Sequence, residues 1–218
     1  MKIEIWSDVM CPFCYMGKRK FEKALSEFQG KDNIEIEWKS FQLAPDMKTT
    51  GKSIHEYLAE HKGFSLDDAM RMNNQMTQMA AKVGLTYNFD KAVVANSFNA
   101  HRFSHFAKTK GKQNEAEEKL FYAYFTDGKN IDDFNTLIQL GIDIGLDAEE
   151  LRQALEKNKY AKEVTADIDE ASQLGISGVP FFVFNRKYAI SGAQESSTFL
   201  GALDKSYSEW HTVNKITA

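Results

Sequence analysis

The only two cysteines of the chain are separated by two residues, in Cys11-Pro12-Phe13-Cys14. Residues 2–6 alternate apolar and charged side chains before this stretch, as expected of a half-buried strand. After it, apolar residues recur at helical spacing from about residue 16 to residue 28. A Cys-x-x-Cys pair between a strand and a helix is typical of a thiol–disulfide redox centre, so this stretch constrains both the fold and the chemistry.

The length of 218 residues suffices for one domain with a real core or for two small ones. A net charge of −4 gives no electrostatic reason to expect nucleic acid or an acidic membrane surface as a partner. The first residues do not resemble a secretory signal, and no apolar run approaches membrane-spanning length. We therefore expect a cytoplasmic protein, where a lone Cys-x-x-Cys pair is more often catalytic or metal-binding than structural.

Strand patterns occur at both ends of the chain. The alternating segment 34–43 predicts a second strand, parallel to the first because a helix connects them. Near the C-terminus, the wholly apolar run 181–184 predicts a strand covered on both faces. Residues 187–191 can pair back onto it after a tight turn at Asn185-Arg186, and an apolar stripe marks a final helix. The two ends together predict an α/β unit with a four-stranded mixed sheet.

Residues from about 53 to 175 show helical periodicity almost throughout, which predicts five or six helices. We therefore predict a discontinuous α/β domain formed by 1–46 and 176–218, interrupted by an all-helical insertion domain, 47–175.

Some helix limits in the insertion are well marked. Ser65 and Asp147 are expected caps at helix starts, and one helix is expected over about 90–110. Four methionines form a loose stripe on the helix that follows Ser65, at positions 70, 72, 76 and 79. We expect them to pack in the core or at the domain interface, with an adaptable peptide-binding surface as the less favoured alternative.

Cys11 would stand at the N-terminus of the helix that follows the first strand. The unpaired N–H groups and the dipole of a helix N-terminus stabilise negative charge, and the thiolate is the attacking form of cysteine. Pro12 falls at the first helical position, where its missing N–H costs nothing. We predict that Cys11 attacks or is attacked, and that Cys14, one turn further and covered, closes the disulfide. The dipeptide between them, Pro12-Phe13, carries no charge.

Val179-Pro180, just before the third strand, is the second candidate functional element. A cis bond here would turn the Val179 backbone toward the cysteines, where its N–H and C=O could pair with an extended substrate chain. A trans proline that opens a strand is an equally acceptable interpretation of the local sequence.

Residues 7–18, SDVMCPFCYMGK, resemble the active-site segment of DsbA-family thiol–disulfide oxidoreductases of the FrnE type. Four further stretches resemble other segments of that family in the same order, at 41–47, 96–102, 177–183 and 188–194. The resemblance implies a thioredoxin fold with a helical insertion and a cis Pro180. It also implies that Cys11 is the exposed nucleophile and Cys14 its partner. The turn departs from the family, which more often has Asn-Gly where this chain has Asn185-Arg186.

The same superfamily contains glutathione-dependent enzymes, the kappa-class transferases and the 2-hydroxychromene-2-carboxylate isomerases. These tend to have serine at the first cysteine position, so the presence of both cysteines favours disulfide exchange. A non-enzymatic, chaperone-like module that uses the cleft between the domains is a second alternative.

Three other residues are candidates for chemistry. His101 and His105 lie one helical turn apart, but a pair of histidines is an incomplete metal site and we expect ordinary helix-face residues. Zinc at the cysteines is disfavoured because closed zinc sites need four ligands and no second cysteine pair exists, so we predict no metal. Asp8 could assist proton transfer from Cys14, although a turn-forming role is the preferred interpretation.

The sequence therefore predicts a protein-disulfide oxidoreductase whose only cofactor is its own dithiol. Its expected partners are protein thiols or disulfides and low-molecular-weight thiols, with glutathione as a candidate co-substrate. The direction of exchange depends on the reduction potential of the pair relative to that of the compartment, which leaves oxidase, reductase and isomerase roles open.

Overall fold

The computed structural model describes residues 1–216 and, within them, every side chain except those of residues 62 and 213–216. Four strands in this part of the chain form one mixed sheet in the order β2-β1-β3-β4. Strand β1 is parallel to β2 and antiparallel to β3, which is antiparallel to β4. The strands are β1, Lys2–Ser7; β2, Glu35–Ser40; β3, Phe181–Phe184; and β4, Tyr188–Ser191. The predicted α/β class and four-stranded mixed sheet are confirmed.

Two helices from the ends of the chain, α1 and α9, pack against each other, and α9 also contacts β3 and β4. Between β2 and β3 the described residues form seven helices, whereas five or six were predicted, because the short α2 was missed. None of the helices within residues 1–216 is both long and apolar enough to cross a bilayer. In chain order they are α1, Pro12–Glu27; α2, Ile54–Lys62; α3, Leu66–Ala81; α4, Phe98–Thr109; α5, Gln113–Phe125; α6, Phe134–Asp143; α7, Ala148–Glu156; α8, Ala161–Gln173; and α9, Ser196–Ile216.

Helix starts in the insertion follow the predicted caps where the signal is local. The Ser65 hydroxyl accepts the N–H of Asp68 at 3.1 Å, and the Asp147 carboxylate accepts the N–H of Glu150 at 2.7 Å. Each bond satisfies one of the free N–H groups at a helix N-terminus. Both predicted caps are confirmed.

The helix expected from about residue 90 begins only at Phe98. Residues before it are held by tertiary bonds instead, since the Val94 N–H donates to the Lys52 carbonyl at 2.9 Å. The Asn96 side chain then accepts the N–H of Phe98 at 2.8 Å. Tertiary pairing therefore overrides the local helical pattern over 90–97.

Strand β3 is covered on both faces, as its unbroken apolar sequence predicts. Phe182 packs on Phe21 of α1 and Phe199 of α9, with ring centroids 5.5 and 4.6 Å apart. On the opposite face, Val183 lies in a smaller cluster with Trp6, with Ala171 of α8 and with Ile176, which follows α8. The sheet is thus enclosed between the α1–α9 pair and part of the insertion.

Polar side chains from the insertion cover the outer edge of β2. The Gln113 amide accepts the N–H of Trp38 at 3.1 Å and donates to its carbonyl at 2.9 Å, as a neighbouring strand would. Asp167 of α8 accepts the Ser40 N–H at 3.0 Å and pairs with Lys39 at 2.9 Å. These contacts satisfy an edge that would otherwise expose unpaired backbone groups.

The β3–β4 turn adopts left-handed backbone at both central residues, with φ of 51° at Asn185 and 56° at Arg186. Arginine is disfavoured there because its Cβ crowds the backbone. Its guanidinium, however, pairs with Glu170 at 2.6 Å and with Glu4. The ion pairs offset the backbone cost at the one position where the turn departs from the family that the sequence resembles.

Candidate active site

The cysteine pair lies where β1 passes into α1. The Cys11 N–H donates to the Asp8 carbonyl at 3.0 Å, which closes a turn after the strand. Cys11 is the N-cap of α1, with φ −86° and ψ 113°, and Pro12 opens the helix. The predicted position at a helix N-terminus is therefore observed, and the local N–H groups and helix dipole are directed at Cys11.

Cys14 lies behind Cys11 and is covered, with 1% of its surface exposed. Burial raises the pKa of the Cys14 thiol, and the adjacent Cys11 raises it further. An apolar environment disfavours the thiolate because the charge loses its hydration. Burial therefore favours the neutral form of the Cys14 thiol.

Cys11 is also covered, which corrects the expectation of an exposed nucleophile. Only 3% of its surface is exposed. The Val179–Pro180 segment comes close to it, and the Cys11 thiol donates to the Val179 carbonyl at 3.6 Å. The Val179–Pro180 peptide bond is cis, as the family resemblance implies. Val179 and Pro180 are thus brought to Cys11 across 168 residues of sequence.

The Val179 N–H has no hydrogen-bond partner in the part of the chain that the structure describes. An unsatisfied backbone donor beside the reactive sulfur is available to an extended chain. The substrate-binding role of Val179 stays a prediction.

Gly17 of α1 determines how closely Pro180 approaches the cysteine helix. A Cβ at Gly17 would lie 2.9 Å from Pro180 Cγ and 3.5 Å from Ala193 Cβ. The first separation is shorter than a normal van der Waals contact, and a proline ring cannot rotate away as a long side chain can. The missing side chain therefore allows the Pro180 segment to pack directly on α1.

Replacing Gly17 with alanine is expected to destabilise the protein by about 1–2 kcal/mol, because overpacking displaces Pro180. The rate of thiol–disulfide exchange should fall together with the stability of this variant. The control is Gly201→Ala in α9, where a Cβ meets no atom of the described chain within 4 Å. That change should stabilise by about 0.5–1 kcal/mol, as alanine normally does in a helix. Urea unfolding of both variants measures the two free energies, and a stabilised Gly17→Ala would contradict the packing argument.

Asp8 forms the turn that the sequence predicts, and its carboxylate also binds a distant backbone N–H and lies near His101. Its carboxylate accepts the N–H of Met10 at 3.2 Å and the N–H of Leu43 at 2.8 Å. His101 Nε2 lies 3.8 Å from the same carboxylate and 2.9 Å from the Phe41 carbonyl. Burial alone would lower the pKa of His101, but its interaction with Asp8 outweighs burial and the pKa is raised. The Asp8 carboxylate therefore favours the protonated form of the buried His101 ring.

The two histidines have separate surroundings. His105 Nε2 lies 2.9 Å from Asp167 and 3.2 Å from the Ser40 hydroxyl, whereas His101 interacts with Asp8. Both histidines are buried on α4. Across residues 1–216, no cluster of three or more His, Cys, Asp or Glu side chains is arranged to hold a metal ion.

Tyr87 is a residue of the site that sequence reasoning missed. Its hydroxyl donates to the Pro12 carbonyl at 2.6 Å, and its ring stacks on Phe125 with centroids 4.5 Å apart. Burial raises the pKa of Tyr87, and the proximity of Cys11 raises it further. No sequence signal marks Tyr87, since it lies in an irregular segment between two helices.

An ionic cluster fastens α1 to α5. Glu118 accepts from the Tyr15 hydroxyl at 2.7 Å, from Lys18 at 2.8 Å and from Arg19 at 2.8 Å. Burial would raise the pKa of Glu118, but Arg19 and Lys18 outweigh it and lower the pKa to about 2. The helix that carries the cysteines is thereby held against the insertion.

An apolar cavity of about 470 Å³ opens beside the cysteines, and we call it the Phe13 cavity. Met10, Pro12 and Phe13 form one wall, and residues of α2 and α3, including Met72 and Met76, form the opposite one. Phe13 itself is 40% exposed.

The methionine stripe of α3 is only partly packed, whereas core or domain-interface packing was expected for all four residues. Met70, Met72 and Met79 are each 41% exposed. Met76 packs at the edge of the core and lines the Phe13 cavity. A helical stripe of apolar residues does not distinguish a buried face from one that lines a cavity.

Comparison with known proteins identifies relatives of the whole chain. Residues 2–204 match the family described as DSBA-like thioredoxin domain. The crystal structure of a probable DsbA oxidoreductase from Streptomyces coelicolor, SCO1869, is similar with a TM-score of 0.89 and 38% identity. The match covers 96% of this chain and 91% of that one. The predicted resemblance to the DsbA family is confirmed, and the FrnE type stays a prediction.

Two more distant structures share the fold. The cytosolic disulfide reductase DsbM from Pseudomonas aeruginosa, solved with glutathione, has a TM-score of 0.64 and 17% identity. A 2-hydroxychromene-2-carboxylate isomerase has a TM-score of 0.67 and 15% identity. The matches cover 99% and 100% of this chain and all of the other chains. At such identities the likeness concerns the fold alone.

Proposed function

Because this chain belongs to the family of DSBA-like thioredoxin domains, we propose that it is a protein-disulfide oxidoreductase that exchanges a Cys11–Cys14 disulfide with substrate thiols. The observation that carries this proposal is the pairing of a helix-capping Cys11, whose thiol contacts the Val179 carbonyl, with a buried Cys14. A helix N-terminus stabilises the thiolate that must attack or leave, and burial keeps the second thiol neutral.

In the oxidising direction, a substrate thiolate attacks Cys11 Sγ and breaks the Cys11–Cys14 bond. The electron pair of that bond leaves on Cys14, which takes up a proton, and a mixed disulfide joins the substrate to Cys11. A second substrate thiolate then attacks the substrate sulfur and releases Cys11 as thiolate. The substrate has lost two electrons and the dithiol has gained them. In the reducing direction, Cys11 attacks a substrate disulfide and Cys14 resolves the mixed disulfide.

The dithiol itself carries the electrons, so we propose no other cofactor and no metal. We place the activity in the cytoplasm, a proposal that agrees with the cytosolic DsbM among the fold neighbours. Protein thiols and low-molecular-weight thiols are both candidate partners, and DsbM was solved with glutathione.

A glutathione-dependent transferase or isomerase is the second candidate, favoured by the fold shared with the 2-hydroxychromene-2-carboxylate isomerase. In that case Cys11 would orient glutathione and no disulfide would form with Cys14. Cys11 at the N-cap of α1 and Cys14 in its first turn favour the redox cycle, since only that cycle uses both cysteines.

The proposal is tested by equilibrating the protein in glutathione buffers of graded potential and counting free thiols by alkylation. We expect a single transition in which both thiols disappear together, and catalysed reduction of insulin by dithiothreitol. Glutathione conjugation of an electrophile, with two free thiols at every potential, would contradict the redox cycle and support the transferase. The midpoint of the transition also distinguishes a reductant from an oxidant.

A further inference from the structure

The buried sulfur of Cys14 has to carry a negative charge in both directions of the proposed exchange. In the oxidising direction the Cys11–Cys14 bond breaks and its electron pair leaves on Cys14, and in the reducing direction Cys14 attacks as a thiolate. Cys14 is only 1% exposed, so water gives this charge little hydration. Groups of the protein are therefore needed to stabilise the Cys14 thiolate while it exists.

Two hydrogen-bond donors lie beside Cys14 where β1 ends. They are the hydroxyl of Ser7, the last residue of β1, and the backbone N–H of Asp8. Burial raises the pKa of the Cys14 thiol, and both donors oppose that effect because they favour the charged form of the sulfur. The Asp8 carbonyl accepts the Cys11 N–H at 3.0 Å, so one turn contacts both cysteines.

The Ser7 hydroxyl has no structural partner that would account for it. Its oxygen is buried and forms no hydrogen bond of normal geometry with any group in the part of the chain that the structure describes. A buried hydroxyl of this kind is unfavourable, because it has given up its bonds to water. The sheet needs only the Ser7 backbone, whose carbonyl accepts the Phe41 N–H at 3.0 Å. Alanine at this position would form the same backbone bond.

A hydroxyl that is poorly paired in the neutral dithiol is suited to a charge that appears only during the reaction. Hydrogen bonds to charged groups are stronger than those between neutral groups, so the Ser7 hydroxyl gains most when the Cys14 sulfur is a thiolate. A donor that is already in place needs no rearrangement at that moment, which makes its effect selective for the charged state.

We propose that the Ser7 hydroxyl, together with the Asp8 N–H, stabilises the Cys14 thiolate and so accelerates the steps in which Cys14 attacks or leaves. This inference rests on the proposed function and adds a residue to the same site. In the reducing direction the Cys14 thiolate attacks Cys11 Sγ, the bond from Cys11 to the substrate sulfur breaks, and its electron pair leaves on that sulfur. The released thiolate takes up one proton in place of the one that Cys14 has lost.

The test separates the two steps of the reducing direction with the mixed disulfide of glutathione and 2-nitro-5-thiobenzoate. Attack by Cys11 releases the coloured nitrothiobenzoate, so absorbance measures the first step. Cys14 then displaces glutathione from Cys11, and acid quenching followed by intact-protein mass spectrometry measures the decay of this adduct. Ser7→Ala should leave the first rate within about twofold and slow the second about tenfold, the factor expected for a hydrogen bond to a charged group.

Ser206 provides the matched control. Like Ser7 it is 2% exposed, and its hydroxyl also lacks a partner in the described chain, but it lies in α9. Ser206→Ala should leave both steps unchanged. Both alanine variants should unfold at the same urea concentration as the unaltered protein or at a higher one, because each loses an unpaired buried hydroxyl. A Ser7→Ala protein that is destabilised and slowed equally in both steps would indicate a structural role and overturn the inference.

Ser7→Thr and Ser7→Val form a second pair with side chains of the same shape. Both add a methyl group at a buried position, so any strain is common to the two and cancels in their ratio. Only threonine keeps a hydroxyl. Ser7→Thr should displace glutathione about tenfold faster than Ser7→Val at neutral pH, and the second step of Ser7→Val should require a higher pH. A general loss of structure lowers the rate without moving its pH dependence.

Two results would overturn the inference while the proposed function stands. One is displacement of glutathione by Ser7→Ala at the unaltered rate, and the other is equal rates and pH profiles for the threonine and valine variants. If the unaltered protein releases no nitrothiobenzoate, or keeps glutathione on Cys11 afterwards, the exchange cycle itself is contradicted. The failure of the inference and the failure of the proposed function are therefore distinguishable.

Discussion

Replacing Cys14 with serine is expected to stop turnover after one half-reaction and to accumulate a mixed disulfide at Cys11. The reduced variant still attacks a substrate disulfide, because Cys11 remains the helix N-cap. No second thiol is then available to resolve the product. Turnover with insulin should fall by about three orders of magnitude or more, as is usual when one member of a catalytic unit is removed.

Cys11→Ser is the complementary variant and should form no mixed disulfide with the same substrate. Cys14 is buried and the pKa of its thiol is raised, so it is a poor nucleophile on both grounds. Intact-protein mass spectrometry after mixing with a disulfide-linked peptide measures the adduct in each variant. An adduct on Cys14, or undiminished turnover of either variant, would contradict the assigned division of roles.

The position of Cys11 and Pro12 at the start of α1 could be predicted, because it depends only on neighbouring residues. A strand, two cysteines and a proline in sequence define a helix N-terminus, and the structure places Cys11 at the N-cap and Pro12 in the first turn. The same holds for the Ser65 and Asp147 caps, where each side chain bonds an N–H three residues ahead. Short-range hydrogen bonds of this kind depend on few residues, so the sequence pattern suffices.

The surroundings of Cys11 could not be predicted, because they come from distant parts of the chain. Val179 and Tyr87 approach Cys11 and Pro12 only after the sheet and the insertion have packed. The exposure of Cys11 that the family resemblance implied was therefore wrong, because residues distant in sequence pack over the thiol. The Phe13 cavity is of the same kind, because Met72 comes from a helix that also resembles a core helix in sequence.

Replacing Asp8 with alanine is expected to destabilise the fold by about 3 kcal/mol, the second largest effect of any change considered for this site. Asp8 is fully buried and accepts two backbone N–H groups, those of Met10 and Leu43. The variant leaves both without an acceptor, at a cost of about 1–3 kcal/mol for each buried unsatisfied group. Asp46→Ala, at an exposed aspartate that forms no hydrogen bond or ion pair within the described chain, is the control and should change stability by less than about 0.5 kcal/mol.

The loss caused by Asp8→Ala should also depend on pH, through His101. The pKa of His101 is raised above its ordinary value of 6.5 although burial opposes the charge, and Glu117 contributes to the rise after Asp8. A raised pKa adds stability that is fully present below pH 6.5 and is lost as the pH rises through the folded value. Without Asp8, burying a protonated His101 becomes unfavourable at low pH, whereas the neutral ring is tolerated at high pH. The difference in unfolding free energy between the two proteins should therefore be largest below pH 6.5 and shrink as the pH rises through the folded pKa of His101. Urea titrations at several pH values measure it, and a difference independent of pH would show that Asp8 and His101 do not form a charge pair.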